Sequence, residues 1–209
     1  MTQPDSRTDD PLQAATADPV VGAVRRHAFT TLLDDQPMTA VQLADALGLS
    51  RADVERALAT LQTGGALEVD DRGRVIGVHG LTRRRTRHTI ITSRRTWYTW
   101  CALDAIGIPA ALSLDATVHT VCPTCNTEIT IGVHRGAMVT PTGKPRLWLP
   151  RGICGHVMDD FCATANLFCN TEHLEQWQRY AGEPAGQPLS LDETARHGER
   201  VWADVADCC

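Results

Sequence analysis

Several things this chain lacks narrow its identity before anything it contains does. No apolar run approaches the ~18 residues that a membrane-spanning helix needs, and the opening stretch MTQPDSRTDD is polar and acidic where a secretion signal is basic and then apolar. Positive charge is not in surplus either. With 20 Lys+Arg against 25 Asp+Glu the formal net charge is -5, and the pI is near 5.9. That balance argues against a protein that coats nucleic acid or an anionic membrane, so neither DNA nor a membrane is an expected partner. No internal repeat is present. The expected compartment is the cytoplasm. There the 8 cysteines are not expected to form a disulfide framework, because thiols stay reduced and 209 residues bury a core without bridges. Metal binding or thiolate nucleophilicity is the chemistry left to them.

Along the chain, residues 1–17 are polar and without periodicity and read as a disordered leader. Residues 18–81 read as a winged-helix-like domain. Asp18-Pro19 opens a first helix, Thr39 with Gln42 has capping-box spacing for a second, and Ser50 caps a third that ends before Gly64-Gly65. A hairpin around Asp71-Arg72-Gly73 follows. The third helix offers Arg51 and Arg56 but also Asp53 and Glu55, so its exposed face is close to neutral, a weak basis for DNA binding. Residues 82–209 read as a second domain of mixed helices and strands around the cysteine-bearing segments, giving an α+β protein. In it the pattern predicts a helix over 97–107 ahead of Pro109, and two strands in ATVHTVCPTCNTEITIGV joined by a tight cysteine-bearing turn. It further predicts a strand in RLWLP, a helix at 171–181 and a last helix capped by Ser190.

Two short segments carry the candidate chemistry. In WYTWCALDAIGIP, Cys101 and Asp104 are three residues apart and share a helical face with Trp97 and Trp100 nearby. A carboxyl in such surroundings is poorly solvated, which favours its protonated form and suits it to exchange protons with a thiol. The plainer reading makes Cys101 a small core residue and Asp104 a helix-margin group bonded to a backbone amide. In ICGHV, Gly152 and Gly155 open the backbone around Cys154, and His156 adds a base or donor two residues on.

Together WYTWCALDAIGIPAAL and, about fifty residues later, ICGHV resemble the organomercurial lyases, or alkylmercury lyases; in architecture and order the likeness spans residues 20–180. The resemblance implies that Cys101 and Cys154 capture the mercury of R-Hg-X while Asp104 relays a thiol proton to the leaving carbon. Protonolysis then yields R-H and leaves Hg(II) on the cysteine pair. It implies no required organic cofactor, low-molecular-weight thiols as co-reactants, and mercuric reductase as a candidate acceptor of Hg(II). Trp97, Trp100 and His156 would line the substrate pocket, with Leu103 and Ile106 extending its apolar wall.

A rival rests on CPTC. Cys122 and Cys125 have zinc-knuckle spacing, and Cys154 with His156, Cys162 or Cys169 would complete a structural zinc site. The protein would then be a zinc-binding winged-helix regulator or metal sensor. A relative that binds an organometal without cleaving it is a third reading. The adjacent Cys208-Cys209 at the end of the chain would serve as a metal relay.

Overall fold

The computed structural model describes residues 18–139, 143–151, 155–182 and 185–206. The leader at 1–17, Cys154 and the Cys208-Cys209 pair lie outside the described residues. Contacts divide the chain into two units, the first formed by residues up to 79 together with 155–161, and the second by the remainder.

In the first unit the sequence signals act as anticipated. Asp18 Oδ1 accepts from the N–H groups of Val20 (2.8 Å) and Val21 (3.2 Å), opening α1 (Pro19–Leu33). Thr39 and Gln42 cap each other's amides at the start of α2 (Ala40–Leu47), which Gly48 closes in the left-handed conformation. Ser50 Oγ accepts from Asp53 N–H to begin α3 (Arg51–Thr63). Val24, Phe29, Leu43, Val54 and Leu61 are buried among these helices. The hairpin of β1 (Leu67–Val69) and β2 (Val75–Val78) completes a winged helix, pairing Leu67 with Val78. On α3, Arg51 stands 2.7 Å from Glu55 and Arg56 pairs with Asp53, so the helix neutralises its own cations. Residues 155–161 return to this unit. Val157 N–H donates to Gly64 O at 2.9 Å, and the His156 ring lies so close to Gly65 that a Cβ there would meet it at 2.3 Å.

The second unit is built around one helix. Strands β3 (Leu81–Thr82), β4 (Thr89–Ile91), β5 (Thr96–Thr99), β6 (Ala116–Val121), β7 (Glu128–His134) and β8 (Ala137–Val139) run antiparallel in the order β3-β5-β4-β6-β7-β8. Alternation turns Val118, Ile129, Ile131 and Val133 inward. Helix α4 (Ala102–Ala111) is buried at every position from Ala102 to Ala110, as a helix apolar on all sides must be. A smaller antiparallel sheet places β9 (Arg146–Pro150) between β10 (Leu167–Phe168) and β11 (Gly186–Leu189). Helix α5 (Thr171–Tyr180) sets Trp177 against Trp148 and Phe168, and α6 (Leu191–Val201), capped by Ser190, packs along α4 before the short α7 (Ala203–Ala206).

Two expectations need correcting. The helix anticipated from residue 97 starts at Ala102, because the β-branched and aromatic run Thr96–Thr99 is claimed by cross-strand pairing: Trp97 opposes Ile90 and Thr99 opposes Leu81. It also runs through Pro109 to Ala111. Burial of Ile106, Ile108 and Ala110 outweighs the one backbone hydrogen bond that the proline removes, a cost of about 3 kcal/mol.

Close approach of α4 to α6 depends on two glycines. A Cβ at Gly198 would meet Gly107 Cα at 2.2 Å, and one at Gly107 would meet the Trp202 ring at 2.4 Å. Gly198→Ala is therefore expected to destabilise the protein by about 3 kcal/mol, at the upper end for overpacking, because backbone and not a flexible side chain must give way. Chemical denaturation reads this directly; an unchanged midpoint would show that the helices separate freely.

Acid sensitivity has a defined source in His88. It is buried, with Nδ1 2.7 Å from Thr120 Oγ1, and burial, aided by the Arg87 charge, holds its pKa down at about 4. Since the unfolded chain protonates near the ordinary value of 6.5, the unfolded state binds the extra proton and stability falls as pH drops from 6.5 towards 4. Between pH 7 and 4.5 the loss from this residue is about 2 kcal/mol. In His88→Asn that portion of the pH dependence should vanish; identical acid profiles for both proteins would assign it elsewhere.

Candidate active site

Cys101 is the residue at which β5 gives way to α4. Its extended backbone (φ -142°, ψ 176°) makes it the helix N-cap, and Asp104 occupies the third helical position. The carboxylate turns back, with Oδ2 accepting the Cys101 N–H at 2.9 Å. The same amide would be orphaned at a helix start, so the bond satisfies a buried donor while fixing the carboxyl beside the thiol. Neighbouring strand residues hold the corner: Thr99 Oγ1 donates to Cys101 O at 3.0 Å, and Trp100 N–H donates to Gly80 O at 2.9 Å.

Cys162 supplies the third group. It ends the π-helical turn Val157–Cys162 and projects its thiol to the same place. The two Sγ atoms and an Asp104 oxygen lie within 4.8 Å of one another, and Cys101, Asp104 and Cys162 are 0%, 5% and 7% exposed. Burial pushes the Asp104 carboxyl up to about 6, against the hydrogen bonds from the Cys101 thiol and amide. It drives the Cys101 thiol well above its usual range, with Cys162 and Asp104 adding to the effect. The hydrogen bond with Cys101 lowers Cys162, yet burial and the Asp104 charge outweigh it and leave that thiol raised as well. The two thiols therefore hold their protons until a ligand displaces them, and the carboxyl is brought within reach of protonation near neutral pH. Two soft sulfur donors and a carboxyl able to take up and pass on a proton, buried together, suit a soft thiophilic metal and protonation of whatever that metal carries.

A second group stands apart from this one in the same unit. Cys122 and Cys125 on the β6–β7 turn meet Cys169 and His173 at the start of α5, their ligand atoms also within 4.8 Å of one another. Hydrogen bonding led by Thr127 holds Cys125 down at about 6, and burial pushes Cys169 up to about 12.

A sequence profile of alkylmercury lyases matches residues 81–203. The chain belongs to the alkylmercury lyase family. It is 30% identical over 155 residues to the alkylmercury lyase of Pseudomonas putida, covering 71% of each chain. It is 25% identical over 176 residues to that of Bacillus cereus, covering 83% of this chain and 78% of that one. Among solved structures, the mercury-bound form of MerB2 shares the fold at a TM-score of 0.85 and 20% identity, over 93% of this chain and 97% of that one. An IclR-type helix-turn-helix profile matches residues 33–71, within the winged helix. The regulator reading is not favoured.

Of the residues singled out in the sequence of this alkylmercury lyase family member, Cys101 and Asp104 come together. Cys154 lies outside the described residues. His156 is held within the first unit, its N–H donating to Asp160 and its Nδ1 3.0 Å from Asp159 Oδ2. Trp97 and Trp100 are half-buried, on β5 and at the corner after it, not on the helix. Cys162 and His173 are what sequence reasoning undervalued. The sequence offers Cys162 as a zinc ligand, while Phe161 before it and the buried Ala165–Phe168 stretch after it go with a thiol that faces the interior. The Cys169-to-His173 spacing, one helical turn, was the signal for the other.

Gly80 sets the position of the carboxyl. Its φ is +93°, and a Cβ there would meet Asp104 Cγ at 2.7 Å. In Gly80→Ala the backbone strain costs on the order of 1–3 kcal/mol, and the displaced carboxyl loses its bond to Cys101 N–H. The expected result is a marked fall in kcat with Cys101 still reactive to mercurials in a thiol-titration assay; full kcat would mean the carboxyl adapts without cost.

Proposed function

We propose that this protein cleaves the carbon–mercury bond of organomercurials by protonolysis, with Cys101 and Cys162 as the capturing thiols and Asp104 as the proton relay. The observation that carries the assignment is the buried Cys101–Asp104–Cys162 group in a chain of the alkylmercury lyase family.

The steps follow from the donors present. One thiol displaces X from R-Hg-X, forming an S–Hg bond and releasing HX. The second sulfur then binds mercury while its proton passes through Asp104 to carbon; the Hg–C electron pair stays with carbon and R-H departs. Two sulfurs remain on Hg(II), so R-Hg-X and two thiols give R-H, HX and a dithiolate. The soft metal favours sulfur over oxygen, and added thiolate density makes the opposite carbon more basic. Burial lets Asp104 hold a proton near neutrality. Two molecules of a low-molecular-weight thiol remove Hg(II) and restore both cysteines, and mercuric reductase is a fitting acceptor. A reducing cytoplasm suits this cycle, because the site needs free thiols; Cys101 and Cys162 are both unpaired by any disulfide. Among the described residues no helix is long and apolar enough to cross a membrane.

Benzene release from phenylmercury with excess thiol tests the proposal. Cys101→Ser and Cys162→Ser should each abolish it while leaving the fold intact, and Asp104→Asn should retain mercury binding but lose roughly 10²–10⁴-fold in kcat. Cys154→Ser separates the two candidate partners of Cys101. Activity kept in Cys154→Ser and lost in Cys162→Ser supports the pair named here; the reverse pattern assigns the second thiolate to Cys154.

A further inference from the structure

The cysteines of CPTC take no part in that chemistry, and their surroundings assign them another. Cys122 opens a tight turn in which Asn126 N–H donates to Cys122 O and Cys122 N–H donates to Thr127 O, both at 2.9 Å. This aims the sulfurs of Cys122 and Cys125 the same way, towards the segment that enters α5. From that segment Cys169 Sγ comes to 3.6 Å from Cys125 Sγ, and His173 Nδ1 to 3.7 Å from Cys122 Sγ.

These separations have a metric meaning. A tetrahedral Zn(II) with Zn–S near 2.3 Å and Zn–N near 2.0–2.1 Å sets its ligand atoms about 3.8 Å apart for two sulfurs and about 3.6 Å for sulfur and nitrogen. The Cys125–Cys169 and Cys122–His173 edges match these lengths, and all four ligand atoms lie within 4.8 Å of one another. We propose that Cys122, Cys125, Cys169 and His173 bind one structural Zn(II) that fastens the β6–β7 turn to the N-terminus of α5.

The donor set is complete at four, three sulfurs and one imidazole, which leaves no position open for substrate and makes a structural role the natural one. Supporting contacts are in place. Asn170 Oδ1 accepts from His173 N–H at 2.9 Å, and Thr124 Oγ1 donates to His173 O at 2.8 Å, so both ligand-bearing segments are oriented before a metal arrives. Cys125 is exposed and Cys169 and His173 are half-buried, giving an ion a route in from solvent. The wholly buried Cys101–Asp104–Cys162 group offers two sulfurs and one carboxyl, a different site with different demands.

The test uses the full chain, reduced, reconstituted with ZnCl2 and desalted. Elemental analysis should find about one zinc per chain, retained in Cys101→Ser and Cys162→Ser. Cys125→Ser, at an exposed position, and His173→Ala should lose it, and His173→Cys should recover it. Cobalt substitution should give the thiolate charge-transfer and d–d absorption of a tetrahedral sulfur-rich site in the parent, Cys101→Ser and Cys162→Ser, and not in Cys125→Ser or His173→Ala. Chelation should lower Tm by on the order of 10 °C in the parent and leave Cys125→Ser unchanged. A reconstituted parent without zinc, or zinc that persists in Cys125→Ser and disappears in Cys101→Ser, overturns the proposal. All of these readouts are independent of carbon–mercury cleavage.

Discussion

The bond between Cys101 N–H and the Asp104 carboxylate is the constraint on which the second unit's chemistry depends. It caps a helix buried at every position from Ala102 to Ala110, whose first turn is almost wholly screened from solvent. An uncapped amide there would cost as much as a lost hydrogen bond, so the carboxyl has a structural reason to be buried. Once buried, it becomes a poor acid and a ready proton carrier beside two thiols. Structure and chemistry here use one side chain. The plainer sequence reading, a carboxyl bonded to a backbone amide, and the catalytic one describe the same geometry.

Glycine makes that geometry affordable in space. Gly80 leaves room for the carboxyl, and Gly107 with Gly198 lets α6 lie against α4 at backbone distance. The strands β5 and β6 and helix α6 hold α4 from different sides. A soft-metal site of three groups needs such fixed supports, because a thiol displaced by an ångström no longer shares a metal with its partner.

The cysteines sort by coordination chemistry. Cys101 and Cys162, buried with a carboxyl, form an incomplete set suited to capture and release. Cys122, Cys125 and Cys169 with His173 form a closed set of four nearer the surface. In general an open donor set suits a site that exchanges its ligand, and a closed set of four suits one that keeps its metal.

Local signals were legible wherever a side chain acts on its own backbone. Asp18, Thr39, Ser50 and Ser190 each announced the helix they cap, and the alternation in ATVHTV and EITIGV announced paired strands. WCALD carried the family likeness and half of the site. Short-range pattern misjudged residues 97–100, since Trp97 and Tyr98 suit a helix or a strand and only the neighbouring β3 and β4 decide between them. Likewise Cys162 lies 61 positions from Cys101 and His173 lies 51 from Cys122, separations at which no periodicity connects two residues. What the sequence by itself determined were the helix starts, the winged helix, and the thiol and carboxyl of one turn, because these depend on contacts within a few residues. Which distant side chains approach that turn, and which four gather where the β6–β7 turn meets α5, only the tertiary structure decided, because packing of α4 within its sheet and the docking of α5 bring distant segments together.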